Sequence, residues 1–278
     1  MSVRQPAVAG SFYPGAAVEL GRSVDILLHR AEGAEFPSVM PPKALIVPHA
    51  GYIYSGPTAA IGYVTLEPIR SVITRVVLLG PAHYVGFRGL ALSSADAFAT
   101  PLGRVPIDHE AQTHLRHLPQ VVTSDEAHAP EHSLEVQLPF LQRVLDDFTL
   151  VPIVVGDAPP TQVAAVLEAC WGGPETLLLI SSDLSHYLSH DTANALDAAT
   201  IDTILTLDWP LPDRSACGAR PINGLMVAAG THNLRPTLLD HRTSGDTAGD
   251  RNRVVGYASI AFADASSDPG EGGESHGR

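Results

Sequence analysis

Three apolar runs of the chain end on residues able to hold a metal ion or move a proton. The run "ALIV" (44–47) leads into "PHAGYIYSG" and delivers His49. "RVVLLG" (75–80) leads into "PAHYVG" and delivers His83, and "TLLLISS" (176–182) leads into "DLSHY" and delivers Asp183 and His186. A histidine after a strand is often only a capping or packing residue, so one such placement carries no chemistry. Three in one chain mean more, because an open α/β sheet binds ligands in the crevice outside the carboxyl ends of its strands. If the three strands run parallel and lie close together, all three clusters open onto one edge.

A sulfur completes the set. Cys217 lies in "RSACGARPING", just before a helix expected to start near Pro221. A thiol beside a helix N-terminus, with Arg214 and Arg220 nearby, is expected to have its thiolate favoured. The alternative for a free cysteine is a small buried hydrophobe. Cys170, on the apolar helical face of "VAAVLEACW", suits that alternative better. His49, His83 and Cys217 together make a donor set suited to zinc, iron or copper, with a coordination position left open. Their separations, 34 residues from 49 to 83 and 134 from 83 to 217, match no short zinc-finger pattern.

Asp183 and His186 then read as an acid–base pair, the carboxylate orienting the imidazole for proton transfer. The alternative is that Asp183 caps a short helix after its strand. In "PEHSLEVQLP", His132 and Glu135 stand three apart at an expected helix start, so both can face the same crevice. His109, His114 and His117 read as one solvated helical face. His128, His190, His232 and His241 are read the same way.

These residues need a frame to position them. Short β-rich runs at 44–47, 75–80, 89–94, 148–156, 176–182, 235–243 and 254–262 alternate with helical patterns at 16–32, 132–147, 161–171, 192–207 and 221–233. That alternation predicts an α/β fold, a central mostly parallel or mixed sheet with helices on both faces. No linker-like stretch interrupts it, so residues 1–264 are expected to form a single domain. The polar, Gly-rich segment 265–278 is expected to be a disordered tail.

Composition narrows the function further. A net charge of −13 argues against non-specific binding to nucleic acid or an anionic membrane surface. Two cysteines make no disulfide framework in 278 residues. No apolar run approaches a membrane span and the start lacks a signal-peptide core, so the expected location is cytoplasmic.

The ordered blocks "RQPAVAGSFYP", "PHAGYIYSG", "GPAHYVG", "EHSLEVQLPF", "SSDLSHY" and "CGARPI" resemble the Memo family, also called AmmeMemoRadiSam system protein B, over about residues 4–262. The resemblance implies a fold related to the class III extradiol dioxygenases. It implies a metal site on His49, His83 and Cys217, with Asp183, His186 and His132 in the pocket. In the dioxygenases a histidine at the position of His186 serves as the acid–base group, but their third ligand is a carboxylate where this chain has Cys217. Ring cleavage is therefore not inherited. The resemblance further implies links to phosphotyrosine peptides and to iron- or copper-dependent redox chemistry, and association with AMMECR-domain and radical-SAM proteins.

Three functions follow as expectations. The first is a metal-dependent oxidoreductase holding one iron or copper ion, with zinc as a further candidate, and acting on an unidentified small molecule. The second is a metallohydrolase with His132 or Glu135 as general base. The third is a non-catalytic module in which Arg214, Arg220 and backbone N–H groups hold a peptide or small anion.

Overall fold

In the computed structural model, which describes residues 2–33, 35, 37 and 41–265, the apolar runs form strands. In chain order these are β1 (Val3–Arg4), β2 (Ala44–Val47), β3 (Arg75–Pro81), β4 (Leu90–Leu92), β5 (Ala97–Thr100) and β6 (Gly103–Pro106). They are followed by β7 (Val121–Thr123), β8 (Thr149–Val155), β9 (Thr176–Ser181), β10 (His186–Leu188), β11 (Leu234–Thr243) and β12 (Val254–Asp264). Nine form one mixed sheet in the order β10-β12-β2-β9-β3-β8-β4-β7, with β11 also paired to β12.

Its centre is parallel. β2 pairs with β9, β9 with β3 and β3 with β8, all in the same direction, while β12 and β4 flank them antiparallel. Both faces of these strands are buried, which is why they read as continuous apolar runs. Leu45 and Val47 pack into one core with the helices Ala17–Glu32, Tyr52–Val64 and Leu138–Val144. Ala44 and Ile46 point the other way, into a core shared with Pro160–Ala169, His190–Leu205 and Ala219–Thr231. The structure is thus an α/β fold with helices on both faces of a mixed sheet.

Some elements depart from the sequence expectation. The helix Tyr52–Val64 is absent from it, because Gly56 and Pro57 resemble a turn. Pro57 lies in the second turn and removes only the hydrogen bond to the carbonyl of Ile53, a residue on the exposed side. The expected helix 132–147 is a short 3-10 turn, Glu135–Gln137, followed by Leu138–Val144. A small sheet, β1-β5-β6, was not anticipated from the sequence. From residue 266 onward, the expected disordered tail lies outside the described residues.

Glu135 is fixed in this frame and does not line the crevice, contrary to expectation. Its carboxylate is fully buried and ion-paired with Arg4. It also accepts the N–H groups of Ala7 and Val8 at 2.7 and 3.0 Å and the Tyr13 hydroxyl at 2.5 Å. It anchors the N-terminal segment. Glu135→Ala would leave the buried Arg4 guanidinium without its carboxylate, and is expected to cost about 3–5 kcal/mol of stability. Urea unfolding checks this; a loss under about 1 kcal/mol would contradict the anchoring role.

Candidate metal centre

Because β2, β9 and β3 are parallel neighbours, their carboxyl ends share one edge of the sheet. Val47 is in register with Ser181, and Leu79 with Ile180. The residues just beyond, His49, Asp183 and His83, therefore meet. Two glycines allow the remaining pieces to close in. A Cβ on Gly80 would lie 2.5 Å from Ser133 Oγ, so glycine admits the segment carrying His132. A Cβ on Gly218 would lie 2.6 Å from Ser182 Cβ, so glycine lets the Cys217 turn rest on the end of β9.

The outcome is a cluster of three imidazoles and a sulfur. His49, His83 and His132 each offer a ligand atom, and these atoms lie within 4.8 Å of one another. The His83 and His132 rings stack with centroids 4.6 Å apart, and His49 meets His83 edge-on at 5.2 Å. Cys217 Sγ is 3.2 Å from His49 Nε2.

Hydrogen bonds behind His49 determine which nitrogen faces the cluster. Gln137 gives its amide N–H to the Pro48 carbonyl and to Ser181 Oγ, at 3.0 and 2.7 Å. Ser181 gives its only proton to the Ser133 carbonyl at 2.6 Å. Its oxygen can then only accept from His49 Nδ1, at 2.8 Å. His49 is therefore protonated on Nδ1, and its Nε2 lone pair points toward Cys217. Burial, followed by the neighbouring His83, lowers its pKa to about 3, so the ring is neutral.

His83 is held in a similar way. Its Nδ1 meets Glu131 Oε1 at 2.9 Å and its backbone N–H meets Oε2 at 2.7 Å. Glu131 is buried, which alone would raise its pKa. The hydrogen bonds from His83 and from the Ser133 backbone outweigh this and hold the carboxyl at about 2. A carboxylate behind a ligating imidazole fixes its tautomer and raises its basicity. His132 Nδ1 lies 3.5 Å from the same carboxylate and 3.4 Å from the Tyr84 hydroxyl, and burial lowers its pKa to about 4.

These donors fit a transition metal. Three imidazoles gather at one end of the cleft with a sulfur beside His49, and the Nδ1 atoms of His49 and His83 are already hydrogen-bonded. The set differs from the one the sequence indicated: the mutually close ligand atoms are those of His49, His83 and His132, which was expected as an acid–base group, while the sulfur of Cys217 meets His49.

Other expectations need correction. Cys217 is not a poised thiolate: burial first, then the nearby Asp183 carboxylate, push its thiol upward. Arg220 cannot offset this, because its guanidinium pairs with Asp157 and Asp213, each at 3.1 Å, and bonds the Gly156 carbonyl at 3.0 Å. It lines a neighbouring cavity of about 320 Å³ that also touches Cys217, not the cleft that holds the histidines. Asp183 Oδ1 accepts the His49 backbone N–H at 2.7 Å, and its carboxyl is raised by burial. Among the described residues no hydrogen bond joins it to His186, which is exposed at the mouth. The chain turns away there because Asp197 takes the Ser185 N–H at 2.9 Å. His128 is buried, with Nε2 2.9 Å from the Ala91 carbonyl, rather than solvated.

His49, His83, His132, Asp183, His186 and Cys217 all line one cleft of about 790 Å³. Glu131, Ser181 and Gln137 were not identified from sequence. Glu131 had a signal, its place directly before His132 in "PEH"; Ser181 and Gln137 had none.

Fold and cluster together define an α/β protein with a metal-competent histidine centre at its strand ends. A profile of Memo-like proteins matches residues 4–261, and the chain belongs to this Memo family. A MEMO1 family protein of Sulfolobus acidocaldarius is 38% identical, covering 94% of this chain and all of its own. One from Ignicoccus hospitalis is 40% identical over 94% of this chain and 99% of its own, and one from Aquifex aeolicus is 37% identical over 94% and 100%. Among solved structures, an uncharacterized protein from Escherichia coli K12 aligns with a TM-score of 0.48 at 14% identity, covering 77% of this chain and 98% of that one.

The neutral imidazoles make the metal-free protein sensitive to acid. Folded His49 and His132 have pKa values near 3 and 4, below the ordinary 6.5. Between those values and 6.5 the unfolded chain binds protons that the folded chain does not. Their stability contribution is complete above pH 6.5 and is lost as pH falls toward 4. In chelator, His132→Asn is expected to flatten the decline by up to about 1.4 kcal/mol per pH unit. Unfolding curves from pH 7 to 4.5 measure it; an unchanged slope would contradict a buried neutral ring.

Proposed function

We propose that this Memo-family protein is a metal-dependent redox enzyme acting on a small molecule in the 790 Å³ cleft, with iron or copper held by His49, His83, Cys217 and His132. The observation that carries it is the convergence of imidazole Nε2 and thiol Sγ, 3.2 Å apart at His49 and Cys217, beside two further imidazoles. Mixed imidazole and sulfur donors favour iron, copper or zinc over hard oxygen-seeking cations. When bound, iron or copper would supply one-electron chemistry.

The chain's own residues do the remaining work. Ser181 and Glu131 keep the Nδ1 protons of His49 and His83 pointing away from the centre. Asp183 clamps the His49 backbone. His186, at the exposed mouth, passes protons between the bound molecule and solvent, the role that the dioxygenase resemblance gives it. Cys217 must give up its proton before its sulfur can ligate, and His49 Nε2, 3.2 Å away with its lone pair toward the sulfur, is the adjacent acceptor.

The other readings lose a residue each. Glu135 is sealed under the N-terminal segment, so a hydrolase would have only His132 as base. Arg220 is occupied by two aspartates and cannot serve as the anion holder. AMMECR-domain and radical-SAM proteins are the proposed partners and the cytoplasm the proposed location. Among the described residues no helix is long and apolar enough to cross a membrane.

Elemental analysis of the purified protein tests this. About one equivalent of iron or copper is expected, falling at least tenfold in His49→Ala and in Cys217→Ala, together with reductant-dependent oxygen consumption that the variants lack. Zinc alone with no oxygen consumption would favour the hydrolase. Full metal retention in both variants would overturn the site.

A further inference from the structure

At the mouth of the cleft, Arg253 is the one arginine or lysine among the described lining residues. Its guanidinium lies over the Tyr187 ring, 4.5 Å from the centroid. Among the described residues it forms no hydrogen bond or ion pair with any carboxylate. This is unusual in a chain of net charge −13, whose neighbouring Arg251 is paired with Asp246. Asp250 lines the same cleft, and its Oδ1 accepts the backbone and side-chain N–H groups of Asn252 at 2.8 and 2.7 Å rather than pairing with Arg253. Stacking uses the face of the guanidinium and leaves its edge N–H donors free.

Tyr187 is held in an uncommon way. Its φ is +61°, a left-handed conformation that a bulky residue adopts against its preference, and its side chain is 63% exposed. That backbone carries an aromatic face out over the cleft entrance. Inside, Phe12, Tyr54 and Tyr257 also line the cavity. The site thus offers one free planar cation beside aromatic walls, with the metal cluster at its floor.

We propose that the substrate of this cleft is a small aromatic monocarboxylate, its carboxylate gripped by Arg253 and its ring lying against Tyr187. The inference rests on the metal-dependent reading above and adds the chemical class of the ligand. A forked guanidinium matches a carboxylate with two parallel hydrogen bonds. A phosphate dianion is disfavoured, because among the described residues no second arginine or lysine lines the cleft to share its charge.

The purified full chain, with its metal content measured in the same sample, is titrated calorimetrically with benzoate, benzamide and phenyl phosphate. Benzoate is expected to bind roughly tenfold or more tighter than benzamide, its neutral counterpart of the same shape. Arg253→Gln should erase that difference without changing metal content, and Arg253→Lys should keep part of it. Tyr187→Gly, which suits the positive φ, should weaken benzoate and benzamide alike. Equal affinity for benzoate and benzamide, no binding of either, undiminished benzoate preference in Arg253→Gln, or a preference for phenyl phosphate would each overturn the proposal. A sample short of metal that still prefers benzoate would count against the metal reading alone.

Discussion

Parallel pairing of β2, β9 and β3 is the constraint on which the site depends. Only that arrangement sends three carboxyl ends to one sheet edge, so that residues 49, 83 and 183 meet although the chain separates them widely. The pairing is enforced by burial on both faces, since every residue of β2 and β9 is inaccessible to solvent or nearly so. Reversing any one of these strands would carry its histidine or aspartate to the opposite edge. The glycines at 80 and 218 complete the geometry by letting two more backbone segments press against the strand ends.

Around that edge, polar groups are satisfied in a fixed sequence. Gln137 determines what Ser181 can accept, Ser181 determines which His49 nitrogen carries the proton, and Glu131 does the same for His83. His49 and His83 thus carry a proton on Nδ1, the nitrogen that faces away from the cluster. Cys217 is different. Its thiol is pushed toward the protonated form, so ligation by its sulfur would require the loss of that proton.

Much of this was legible in the sequence, for identifiable reasons. Strands buried on both faces leave an unmistakable apolar run, and the first polar residues after such a run fall at the crevice. His49, His83 and Asp183 could therefore be placed without coordinates. The helix Tyr52–Val64 was hidden because Gly56 and Pro57 carry turn chemistry, while tertiary packing of Ala59, Ala60 and Tyr63 overrides it. Glu131 and Glu135 could not be told apart from spacing. One meets His83 and the other meets Arg4, and that choice is made by where the N-terminal segment docks, a long-range contact with no local signature. Arg220 misled for the same reason, as its partner Asp157 lies 63 residues earlier (220 − 157).

The account stands on imidazole nitrogens and a thiol sulfur sharing one ion. X-ray absorption at the edge of the metal found in the purified protein reads that directly. It should record imidazole outer-shell scattering together with a sulfur at about 2.3 Å, the sulfur vanishing in Cys217→Ser. A shell of oxygen scatterers alone, unaltered by that substitution, would contradict the account.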